Sequence, residues 1–67
     1  MIQVQVNGDA VKLAENSKVS TLIEQLALVQ AKIAVELNQE IVPRSHYSSR
    51  VLHDGDVLEI VQAIGGG

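Results

Sequence analysis

The 67-residue sequence has no cysteine, no tryptophan and no phenylalanine; Tyr47 is its one aromatic residue and Pro43 its one proline. Without cysteine there can be neither a disulfide staple nor a thiolate metal site. Without aromatic platforms, stacking on single-stranded nucleic acid loses its usual support. Basic residues are scarce too, five against eight acidic ones, for a net charge of -3. Such a chain repels a phosphate backbone, so nucleic acid is not an expected partner. The apolar runs fall far short of a bilayer span, and no basic stretch precedes an apolar one near Met1. A cytoplasmic setting without membrane attachment is therefore expected.

What is present is enough for one small core. The hydrophobic content is 46%, drawn mostly from Val, Ile, Leu and Ala. The length allows one domain, near the lower limit for folding without staples.

The patterning reads as strands around one helix. Ile2, Val4 and Val6 alternate with Gln3 and Gln5, as in a strand with one buried face. Asn7-Gly8 is a strong hairpin signal, because both residues tolerate positive φ. Val11 and Leu13 continue the alternation in a second strand. After the polar link Glu15–Lys18, the residues Val19, Leu22, Ile23, Leu26 and Val29 form one helical stripe. With Ser20 or Thr21 as N-cap and Glu24 completing a capping box with Thr21, the helix is predicted from Thr21 to Val29 or Gln30. Ile33, Val35 and Leu37 mark a third strand ending at Asn38-Gln39, and Glu40-Ile41-Val42 a short fourth ended by Pro43. Arg44 to Arg50 reads as a surface loop with a turn of helix, Asp54-Gly55-Asp56 as a tight turn, and Val57 to Ile64 as the last strand. The class is α+β in two layers, with residues 1–64 as the domain and 65–67 as a glycine tail.

Two features point beyond the fold. The first is Gly65-Gly66-Gly67, which can thread a narrow channel because it lacks side chains. Its α-carboxylate, ionised at neutral pH, can attack the α-phosphate of ATP to give an acyl-adenylate, which a sulfur nucleophile then opens. A glycine-rich end is also what a frayed terminus looks like, but here it abuts a strong strand with no spacer. The second feature is the outer row of the last strand. With Leu58 and Ile60 facing the core, Val57, Glu59, Val61 and Ala63 face outward, followed by Ile64 at the exit. One helix can cover only one side of the sheet, so this row is a candidate docking surface.

The remaining polar residues offer no active site. His46 and His53 stand alone in polar loops, with no partners at metal-ligand spacing. Asp54 and Asp56 lack the distal Glu of a calcium loop and read as turn formers. No serine sits in a nucleophile elbow. Neither a bound metal nor a bound cofactor is expected, and the chain is expected to be a substrate rather than an enzyme.

The whole chain resembles the ThiS sulfur carriers of thiamine biosynthesis. The resemblance lies in Val6-Asn7-Gly8, in Val35-Glu36-Leu37-Asn38-Gln39-Glu40-Ile41-Val42-Pro43-Arg44, and in Leu52-His53-Asp54-Gly55-Asp56 leading through the last strand to Gly65-Gly66-Gly67. It implies a ubiquitin-like β-grasp, a mixed sheet of four to five strands packed on one helix, with the first and last strands parallel at its centre. It also implies that Gly67 is adenylated by a ThiF-like enzyme consuming ATP and converted to a thiocarboxylate, with Gly65 and Gly66 threading the partner's active site. The sulfur would come from a cysteine desulfurase or rhodanese-type donor and pass to thiazole synthase. Three other readings remain at this level: a MoaD-like carrier for molybdopterin synthesis, a protein-conjugating ubiquitin-like modifier, and a β-grasp binding module with an idle tail.

Overall fold

The computed structural model describes residues 1–28 and 32–62. The elements run β1 (Ile2–Val6), β2 (Asp9–Leu13), α1 (Val19–Gln25), β3 (Ile33–Leu37), β4 (Glu40–Val42) and β5 (Val57–Gln62), with a 3-10 turn at Arg44–His46 before β5. The five strands form one sheet in the order β2-β1-β5-β3-β4. At its centre β1 and β5 lie parallel, pairing Gln5 with Val57 and Val6 with Leu58. The other neighbours are antiparallel. This is the α+β class and the β-grasp arrangement expected above, with five strands.

Turn chemistry sets both hairpins. Asn7 and Gly8 have φ of 50° and 90°, the paired positive values that match the twist of a two-residue hairpin. The register that follows, from Ile2–Leu13 to Val6–Asp9, puts Ile2, Val4, Val6 and Leu13 inside. Asn38 and Gln39 repeat the device between β3 and β4, with φ of 51° and 72° and no glycine.

The helix departs from its predicted span at both ends. It begins at Val19, with Lys18 as N-cap, rather than at Thr21. The reason is tertiary. The N–H groups of Val19 and Ser20 donate to the carbonyls of Arg50 and Tyr47 at 3.0 and 2.8 Å, and Lys18 bridges Val51. Backbone from the 47–51 segment thus satisfies donors that would otherwise need a side-chain cap. Thr21 does serve the start, but in the reverse sense: its Oγ1 accepts from the Lys18 N–H at 3.1 Å. The expected pairing of Thr21 with Glu24 is not what caps this helix. The far end closes at Gln25, where Ala27 turns left-handed (φ 61°). Ala27 and Leu28 then donate back to the carbonyls of Glu24 and Ile23, a closing pattern that usually employs glycine. Val29 and Gln30, the predicted helix end, lie outside the described residues.

The core lies between α1 and the inner face of the sheet. Val19, Leu22 and Ile23 of the helix meet Val4, Val35 and Leu58 from the three central strands, all buried. Leu52, also buried, closes the layer, and its N–H donates to the Ser17 carbonyl at 2.8 Å. Among the described residues Ser17 is the one buried polar residue, and its hydroxyl donates to the Ala14 carbonyl at 2.7 Å. Among the described residues α1 is the only α-helix, and it occupies one side of the sheet.

Candidate functional site

β5 alternates as its sequence requires. Leu58 and Ile60 are buried, whereas Val57 (44% exposed), Glu59 and Val61 (65% exposed) face away from the helix. The expected row is therefore on the open face. Ala63, Ile64 and the tail Gly65, Gly66 and Gly67 lie outside the described residues, as does the predicted boundary at residue 64.

The neighbouring strands widen this row into a surface. Glu59 pairs with Glu36 of β3, and Glu36 in turn with Ile41 of β4. Val61 lies beside Ala34, and Val57 beside Gln5. The open face thus carries apolar Val57, Val61, Ala34 and a 73%-exposed Ile41 around two directly opposed carboxylates. A hollow of about 490 Å³ runs along it, lined by Gln5, Asn7, Glu36, Val57, Glu59 and Val61. Like charges directly opposite one another weaken a strand pair. Glu36 and Ile41 escaped the sequence reading because their place beside β5 depends on strand order. Once β3 and β5 are known to be neighbours, period-two alternation puts both on the open face.

Two asparagines, Asn7 of the expected hairpin turn and Asn38 where the third strand was expected to end, also hold β5. Asn38 Oδ1 accepts from the Val57 N–H at 2.9 Å, its backbone N–H donates to the Val57 carbonyl at 2.7 Å, and its Nδ2 donates to Asp56 Oδ1 at 3.0 Å. Asn7 Oδ1 accepts from the Ile60 N–H at 2.8 Å, while its Nδ2 donates to the Ile60 carbonyl at 2.9 Å. The strand leading to the tail is thus gripped near both ends by side chains from turns on opposite flanks.

The aspartates act as the turn formers their spacing suggested. Asp54 Oδ1 accepts from the Gln3 N–H at 2.8 Å, and Asp56 Oδ2 from the His53 N–H at 2.7 Å. His46 and His53 are exposed. Among the described residues, no three His, Asp or Glu side chains gather as a metal site would require. No described helix is long and apolar enough to cross a membrane.

Known proteins resemble this chain along nearly its whole length. The crystal structure of the thiamine biosynthesis protein ThiS from Geobacter metallireducens superposes with a TM-score of 0.83 at 33% identity, covering 98% of this chain and all of that one. The sulfur carrier protein ThiS of Escherichia coli is 38% identical over 66 residues, 98% of this chain and the whole of that protein. A thiazole synthase of Paramagnetospirillum magneticum is 41% identical over 66 residues, and there the chain spans only 20% of the relative's length. The sequence profile of the ThiS family matches residues 4–67. With sequence, fold and extent in agreement, the chain belongs to the ThiS family.

Proposed function

We propose that this chain carries sulfur for the thiazole ring of thiamine, with the Gly67 carboxylate as its covalent site. The observation that carries the reading is the match to the Escherichia coli sulfur carrier over that protein's entire length. The thiazole synthase similar to this chain over a fifth of its own length supports that enzyme class as the acceptor partner.

In the proposed sequence, a Gly67 carboxylate oxygen attacks the α-phosphorus of ATP on a ThiF-like enzyme. The bond to pyrophosphate breaks, leaving an acyl-adenylate. The terminal sulfur of a donor's persulfide, formed by a cysteine desulfurase or rhodanese-type protein, then attacks the acyl carbon and AMP departs. A thiol cleaves the resulting S–S bond to a disulfide, which leaves the thiocarboxylate for thiazole synthase. The chain is a co-substrate in each step, and the use of ATP suits a cytoplasmic reaction. Gly65 and Gly66 supply a lead thin enough to enter an active site, while Val57, Glu59 and Val61, with Ala63 and Ile64 beyond them, form the docking side.

Intact-mass measurement tests this directly. After incubation with ATP, a ThiF-like enzyme and a sulfur source, the protein is expected to gain the mass of sulfur replacing one oxygen. Blocking the Gly67 carboxylate with an added residue is expected to abolish the gain. No adenylate and no gain, under conditions where the enzyme modifies another carrier, would sink the reading.

A further inference from the structure

The bonding between β1 and β5 continues past Val6, the last residue of β1. The Gln5 N–H donates to the Asp56 carbonyl at 2.9 Å and the Asn7 N–H to the Leu58 carbonyl at 3.0 Å. The next rung, at Ile60, falls where β1 has already turned back into its hairpin, and there the Asn7 carboxamide replaces a peptide group. Its Oδ1 takes the Ile60 N–H and its Nδ2 bonds the Ile60 carbonyl, at 2.8 and 2.9 Å in a partly buried setting. Position 7 makes two demands at once. The turn requires a positive φ, here 50°, and the rung requires one donor and one acceptor on a short side chain. Glycine meets only the first demand. Aspartate meets the first and supplies an acceptor, but lacks the N–H.

Ile60 is the last described residue of β5 gripped from both flanks. Beyond it Val61 and Gln62 are paired only on the β3 side, with Ala34 and Ile33. We infer that Asn7 is a positioning residue: by holding Ile60 to the β1 side, it sets the direction in which the chain leaves the sheet and how Gly67 is presented to the adenylating enzyme. This rests on the carrier reading proposed above. Without the rung, the end of β5 pivots on β3 alone. The docking surface keeps its side chains, but the reactive terminus arrives out of place.

The test compares Asn7→Gly and Asn7→Asp with Leu13→Val, a core truncation opposite Ile2 at the far end of the β1–β2 hairpin that serves as a stability control. Denaturant unfolding reports stability, and amide exchange reports protection at Ile60. Pyrophosphate release by the ThiF-like enzyme, with carrier concentration varied, separates kcat from KM. For Asn7→Gly the Ile60 amide is expected to lose protection. Its kcat is expected to fall by about tenfold or more at unchanged KM, the size a small misplacement of a reacting group produces. Asn7→Asp, which keeps the turn and one bond should the glycine variant fold poorly, is expected to lower kcat in the same direction. Leu13→Val is expected to leave both constants unchanged while the protein is folded. Wild-type kcat in both Asn7 variants, or a loss no larger than that of Leu13→Val, would overturn the inference. So would a raised KM at constant kcat, which would make Asn7 a docking contact. If the wild-type chain is not adenylated at all, the carrier reading fails and this inference falls with it; loss of the Asn7 effect alone spares that reading.

Discussion

Gln39 occupies a backbone conformation that works against its own side chain. At φ 72° it sits in the left-handed region, which costs a residue bearing a Cβ roughly 1–2 kcal/mol relative to the right-handed one. Glycine is free of that penalty but loses more conformational entropy on folding, which returns about 0.4–1 kcal/mol. Gln39→Gly should therefore stabilise the protein by roughly 0.5–1 kcal/mol. In a domain this small each kcal/mol shifts Tm by about 4–8 °C, so the change is readily measured. The mirror experiment is Gln5→Gly. Gln5 is exposed on the central strand β1 and is not among the positive-φ positions, so glycine there should destabilise by roughly 0.5–1 kcal/mol. Urea unfolding of the two variants, with matched m-values, is the assay. Shifts of the same sign, or a loss of stability in Gln39→Gly, would refute the assignment of strain to the β3–β4 turn.

Leu58 is fully buried on the central strand, so Leu58→Ala should cost roughly 2–5 kcal/mol. The whole domain is expected to hold only about 3–10 kcal/mol, so far-ultraviolet circular dichroism should show its Tm lowered by roughly 10 °C or more; a Tm close to wild type would argue against this core. Val61→Asp should leave unfolding almost unchanged, because Val61 is 65% exposed, yet weaken binding to the ThiF-like enzyme in titration calorimetry; wild-type affinity would remove Val61 from the docking surface. Glu59→Gln relieves the opposition with Glu36 and should raise stability, by an amount that shrinks as salt screens the repulsion. A melting series at two ionic strengths checks both the sign and the trend.

Much of the fold was legible because its signals are local. The alternation of Ile2, Val4 and Val6 predicted a strand with one buried face, and Asn7-Gly8 predicted the turn. The alternation in β5 correctly put Leu58 and Ile60 inside with Val57, Glu59 and Val61 outside. The helix was harder. Its apolar stripe was correct at Val19, Leu22, Ile23 and Leu26, but its start was not, because the groups capping it belong to residues 47–51. No glycine or asparagine marked its end, since Ala27 makes the left-handed closing turn despite its Cβ.

The candidate site divides the same way. Sequence alone determined the existence and spacing of the strands, the opening hairpin and the outward row of Val57, Glu59 and Val61 on β5. Each of these depends on residues a few positions apart. Only the tertiary structure decided that Glu36 opposes Glu59, that Ile41 joins the same open face, and that two turn asparagines grip β5. The Asn7–Ile60 bonds join residues 53 positions apart, and the Asn38–Val57 bond spans 19. Such contacts are set by the order of strands in the sheet, and local periodicity carries no information about that order.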